Sequence, residues 1–157
     1  MPQLINLDNF KAHARIYHTA DDSYIQDLLL PAAIAAWERA TGVSAQGATR
    51  TATMSEEGEL PFYPYPQPIT GPKYSPSGGS PDDPEIHYEG ERQVLIIPED
   101  AERPVTITWD TDEASEAVIP VLELATRLYA DRGDSTAAIE GKAQQMLVAL
   151  MHERGVV

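Results

Sequence analysis

Eight of the thirteen prolines fall between residues 61 and 84, in PFYPYPQPITGPKYSPSGGSPDDP. Each proline removes a backbone donor and locks φ, so neither a helix nor a central strand can run through this stretch. It reads as an extended loop, polyproline-like at first and loose around Gly78 and Gly79. A core must therefore be built from the residues before 61 and after 84. A loop of this length is itself a functional candidate. Phe62, Tyr63 and Tyr65 give it aromatic surface to lay on its own body or on a neighbouring subunit. A proline-rich ligand for a small recognition domain is the other use of such a stretch.

The residues before the loop carry a helical period. Residues 7–16 form a short helix, with Asn6 as its cap and Ile5 and Phe10 at the spacing of a hydrophobic staple. Asp21 or Asp22 caps a second, longer helix. In it Ile25, Leu28, Leu29, Ala32, Ala36 and Ala40 recur on one face, and Thr41-Gly42 closes it with Gly42 in the left-handed conformation. Pro31 crowds the Asp27 carbonyl and predicts a kink. The alanines allow close approach by another helix or another subunit. ATRTATM, from Ala48, is threonine-rich and reads as a strand.

After the loop the period changes to two and back again. Residues 85–88, 93–97 and 105–109 read as strands, with Val105, Ile107 and Trp109 alternating against Thr106 and Thr108. A helix opening on Pro120 in its first turn has Val121, Leu124, Ala125, Leu128 and Tyr129 on its apolar face and ends at Gly133. Asp134 or Ser135 caps a last helix over residues 136–153, with a stripe of Ile139, Ala143, Met146, Leu147 and Leu150. That stripe either packs on its own domain or docks on a partner; methionine suits the second use. The expected fold class is α+β: a mostly helical small domain with a short antiparallel β-sheet and the long proline-rich loop. One domain spans residues 1–157, with N-terminal helices to 42, a β region over 48–112 and C-terminal helices from 118.

Charge narrows the function. The chain carries 25 acidic and 11 basic side chains, a formal net charge of −14. A surface of this sign repels phosphate and disfavours tight nucleic-acid binding. Residues 82–116 hold twelve acids against Arg92 and Arg103, a net of −10. Such a run is a solvated face, or a wall past which a polyanion slides without sticking. With no cysteine, disulfides, thiolate metal sites and a cysteine nucleophile are excluded, which fits the cytosol. No apolar run of about 18 residues suggests a membrane span, and MPQLINLDNFKAHARIYH has no signal-peptide core.

Catalytic patterns are missing. His13, His18, His87 and His152 form no metal-binding helical pair. His13, His18, Asp21 and Asp22 lie close in sequence, yet a solvated loop accounts for them better than a metal site or a small hydrolase. SGGS lacks the lysine of a phosphate loop, and there is no nucleophile elbow or dinucleotide fingerprint. Asp110, Asp112, Glu113 and Glu116 lack the glycine and final glutamate of a calcium loop. The expectation is a protein with no enzymatic activity, no catalytic residues, no metal and no cofactor.

Three stretches, in this order, carry a resemblance: LINLDNFKAHARI, then DDSYIQDLLLPAAIAAWERATG with its aromatic-Glu-x-x-Thr-Gly ending, then TITWDTDEASEAVIPVLELATRLYADRGD. Together they resemble the head–tail connector (adaptor) family of tailed bacteriophages, also found in prophages and gene transfer agents. The sequence departs from the family in three places. DTDEASEA replaces the usual glycine-aromatic step, the proline-rich stretch occupies the place of a strand, and the last helix is longer than is general.

The resemblance implies a structural virion protein: a dodecameric ring docked on the portal protein, joining the capsid to a tail-completion or stopper protein. DNA passes through its centre without specific binding. The location implied is the head–tail interface of the virion, reached from the host cytoplasm during assembly, with no membrane partner. On this reading Ile139, Ala143, Met146, Leu147 and Leu150 are candidates for docking on the portal or a neighbouring subunit. Phe62, Tyr63 and Tyr65 are candidates for the inter-subunit loop. Asp82, Asp83, Glu85, Glu99, Asp100, Asp110, Asp112 and Glu113 are candidates for an acidic channel or rim. The rival reading is a generic acidic protein-interaction domain with no ring and no portal.

Overall fold

A computed structural model describes residues 3–62, 73–75, 85–89, 92–99, 101, 103–131 and 136–153; for 73–75, 85–89, 92, 93, 136–138 and 140 it describes the backbone alone. The fold is α+β. The chain forms two compact units, a helical one from Met1–Gln46 with Glu113–Val157, and a β unit, Gly47–Asp112.

The helical unit opens with α1, Leu7–Ala14, whose first turn is capped as expected: the Asn6 side chain accepts the Asn9 N–H at 2.9 Å. Ile5 and Phe10, the two staple residues, are both buried. The helix ends where Arg15 takes the left-handed conformation, φ 57°. A second helix follows in three consecutive parts: α2, Asp22–Tyr24; a π-helical turn, Ile25–Leu29; and α3, Leu30–Thr41.

The disruption expected at Pro31 takes the form of that π turn. The Leu30 N–H donates five residues back, to the Ile25 carbonyl. A wider turn relieves the clash between the proline ring and the preceding carbonyls. Gly42 closes α3 at φ 69°, its N–H on the Glu38 carbonyl, as its sequence position predicts.

The chain returns from the β unit to build α4, Ser115–Ala130, and α5, Thr136–Glu153. Here the expectation of a proline-started helix is corrected, because α4 begins at Ser115 and Pro120 lies inside it. Pro120, which is buried, has no N–H to give the Glu116 carbonyl four residues back, so α4 gives up one backbone bond in its first turns. Gly133, Asp134 and Ser135 lie outside the described residues. Helix α3 packs against both α4 and α5, α4 packs against α5, and α1 packs against α4. Ala32, Ala33 and Ala36 are buried on α3, so its small residues admit the unit's own helices. The core gathers Ile5, Phe10, Ile25, Leu29, Val121, Leu124, Leu147 and Leu150.

The β unit holds two three-stranded antiparallel sheets in place of the single short sheet expected. One has the order β1-β6-β3, from Ala48–Met54, Val105–Thr111 and Lys73–Ser75; the other has the order β2-β5-β4, from Gly58–Glu59, Arg92–Ile96 and Glu85–Glu89. Strand β3 lies within the stretch read from sequence as loop throughout. It is only three residues long and sits at a sheet edge, the one sheet position that neighbouring prolines tolerate.

Strand β6 buries Val105, Ile107 and Trp109 on one face, as its alternation predicts. They join Leu60, Leu95 and Ile97 in one core drawn from both sheets. On the other face, threonines pair across β1 and β6: Thr51 with Thr108 and Thr53 with Thr106, both at 3.2 Å, while Thr49 donates to Asp110 at 2.7 Å.

Candidate functional site

The helical unit contains a cleft of about 620 Å³ between residues 3–8 and one side of α3. Local sequence builds both walls. Residues 3–8 are held in an irregular path by their own backbone groups. The Leu4 N–H donates to both Glu113 carboxylate oxygens at 2.9 and 3.1 Å, and its carbonyl accepts from the Asn9 side chain at 2.8 Å. The Gln46 side chain donates to the Ile5 carbonyl at 3.2 Å. The opposite wall is α3, which presents Leu30, Pro31, Ile34 and Glu38 to the cleft.

The cleft is apolar in its lining at Ile5, Leu30 and Ile34, and acidic at Asp8 and Glu38. Among the described residues no lysine, arginine or histidine lines it. Glu38 is 8% exposed, and its Oε1 accepts the Ala45 N–H at 2.9 Å. Gln26, another lining residue, is in the π turn. Its carbonyl has no helical donor, because the Leu30 N–H is spent on Ile25 and Pro31 has none. The cleft thus combines apolar surface with hydrogen-bond acceptors. It suits a donor-rich, positively charged occupant with an apolar body.

A polar cluster lies elsewhere in the helical unit. The Tyr129 hydroxyl donates to Asp21 Oδ2 at 2.6 Å, Lys11 pairs with Asp22 at 2.7 Å, and His18 Nε2 stands 3.8 Å from Asp21. Asp21 occupies the cap position of α2, but its side chain makes no capping bond. Tyr129, from a distant helix, takes that carboxylate instead. Among the described residues no group of three or more His, Asp or Glu side chains could hold a metal ion. Arg127 bridges Glu123 at 3.3 Å and Glu153 at 2.7 Å. The Arg127 hydrogen bond holds the Glu153 carboxyl below its ordinary range, and the same bond raises Arg127.

Of the two destinations expected for the α5 stripe, the structure shows the first. Ile139, Ala143, Leu147 and Leu150 are buried, and Met146 is half-buried, on a helix that packs against α3 and α4. In the chain by itself these docking candidates face their own unit. Phe62 is half-buried at φ 64°, packs against the β core, and carries the Arg50 guanidinium 4.6 Å above its ring. Tyr63 and Tyr65 lie outside the described residues.

Of the acidic candidates, Glu99, Asp110 and Asp112 are exposed. Glu85 is placed on edge strand β4 by its backbone, and Asp82, Asp83 and Asp100 lie outside the described residues. Glu113 is half-buried and engaged by Leu4, which makes it a tether for residues 3–8. The cleft itself escaped the sequence reading; its one legible trace was Pro31, a flaw in an otherwise regular helix.

No protein-family model, no curated protein and no solved structure matches the chain. No helix among the described residues is long and apolar enough to cross a membrane.

Proposed function

We propose that the chain is a ring-forming head–tail connector. Copies would assemble, in the dodecameric form the family resemblance implies, beneath a portal protein, join a capsid to the tail-completion or stopper protein, and leave a passage for DNA. One observation carries the reading: each of the three resembling stretches falls on a distinct structural piece, a capped helix, a long helix, and a strand that leads into a helix. LINLDNFKAHARI lies on α1 and its capped entry, and DDSYIQDLLLPAAIAAWERATG on the long helix closed at Gly42. The third stretch runs from β6 into α4.

The charge is consistent with a conduit. A passage for DNA must not grip it, and a net charge of −14 with exposed Glu99, Asp110 and Asp112 keeps phosphate mobile. Mass photometry of the purified chain, alone and mixed with the portal protein encoded beside it, tests the proposal. The expected result is a ring-sized species that appears with the portal. A chain that stays monomeric and ignores the portal would instead be an acidic interaction domain.

A further inference from the structure

The cleft asks for a cation on an apolar stem, and few of the described cations are left over. Among the described side chains, Lys11, Arg127 and Lys142 are in salt bridges, Arg103 is bonded to the Ser55 and Ile97 carbonyls, and Arg50 lies over Phe62. Arg15 and Arg39 are exposed and make no such contact. Arg39 belongs to α3, the wall of the cleft. Arg15 stands at the opposite end of α1 from the cleft residues Asn6, Leu7 and Asp8, about 12 Å away along the helix axis.

The surroundings of Arg15 resemble one half of an interface. Two residues on, Tyr17 is 90% exposed, the most exposed large apolar side chain described. Arginine and tyrosine are among the residue types that carry most binding energy in protein contacts. The turn that presents them is shaped by the left-handed Arg15 and by the Ile16 N–H on the Lys11 carbonyl at 2.9 Å.

We propose that residues 15–17 of one copy seat in the cleft of a second copy, with Arg15 paired to the Asp8 carboxylate and Tyr17 laid on Pro31 and Ile34. The two halves lie at opposite ends of α1, so the contact is heterologous: each copy offers a turn to one neighbour and a cleft to the other. Contacts of this type close into a ring where the rotation between copies divides the full turn, and run into an open filament where it does not. The seat deepens the connector proposal and rests on it for its role in a ring. Its acceptors, including the Gln26 carbonyl left over by the π turn, would then meet guanidinium and phenol donors.

Analytical ultracentrifugation of the full chain and of Arg15→Glu, Tyr17→Ala and Asp8→Lys reads the contact in assembly. Fluorescence anisotropy of a labelled peptide carrying residues 12–20 reads it without assembly. Each single change is expected to weaken association by about ten-fold or more, and Arg15→Glu with Asp8→Lys together to recover most of it; Tyr17→Ala, at an exposed side chain outside α1, should do so with unchanged monomer melting. The peptide is expected to bind the wild-type chain and not Asp8→Lys. Assembly that survives all three single changes at full strength overturns the seat and leaves ring formation standing. A chain that stays monomeric both alone and with the portal protein, yet binds the peptide through Asp8, supports the seat and sinks the ring. A chain that stays monomeric under both conditions and ignores the peptide overturns both.

Discussion

The Tyr129 hydroxyl donates a 2.6 Å hydrogen bond to the Asp21 carboxylate across 108 residues of sequence, joining the last turn of α4 to the start of the long helix. The Tyr129 ring also meets Phe10 edge-on, at 6.1 Å between centroids. One side chain thus ties together α1, the entry to α2 and α4.

Tyr129→Phe keeps the ring contact and removes the hydroxyl. A charge-assisted bond of this kind, half-buried, is expected to contribute about 1.5 kcal/mol. Urea denaturation should show that loss with an unchanged slope. A variant as stable as the parent would mean that water replaces the hydroxyl at no cost.

Leu147 and Val148 are neighbours with opposite fates. Leu147 is fully buried and Val148 is 59% exposed. Leu147→Ala is expected to cost about 2–5 kcal/mol through lost burial and the cavity left behind. Val148→Asp should stay within about 0.5 kcal/mol, as a surface change does. Chemical denaturation of the two variants checks both the size and the order.

Gly141 sits inside α5, exposed, and a Cβ added there meets nothing within 4 Å. Gly141→Ala should therefore stabilise the chain by about 0.5–1 kcal/mol, since alanine loses less backbone freedom on folding. Thermal melting by circular dichroism reads the gain, and a lower melting temperature would contradict it.

The Arg127–Glu153 pair sets a pH dependence. Arg127 lowers the Glu153 carboxyl from its ordinary value of 4.5, so the pair contributes stability above that value and loses it as pH falls through the lowered one. The contribution is small, because Glu153 stands in solvent. Melting curves of the parent and Glu153→Gln should differ slightly at neutral pH and converge as the pH drops well below 4.5. A difference that persists in acid would assign the effect to something other than this charge pair.

On the proposed connector reading, the exposed acids face a passage for DNA. Changing Glu99, Asp110 and Asp112 together to lysine alters the charge by six units per chain and should let an assembled ring retain DNA in a low-salt gel shift. An assembled variant that still ignores DNA would place these residues away from the passage.

What the sequence by itself determined is local. The Asn6 cap, the Gly42 stop, the bounds of α5 and the alternation of Val105, Ile107 and Trp109 depend on residues one to four positions apart, and each is found as its pattern predicts. What covers a face is decided at long range. The α5 stripe had two possible destinations, and the structure lays it on α3 and α4, which are brought there by chain closure through the rest of the helical unit. Asp21 lost its role as a cap to Tyr129, a residue no local rule connects to it. Pro120 was tolerated inside α4, and Pro31 was absorbed by a π turn that keeps Ile25 and Leu29 buried. Spacing along a chain specifies which atoms share a side; only the packed neighbours specify whether that side meets core, water or a second copy.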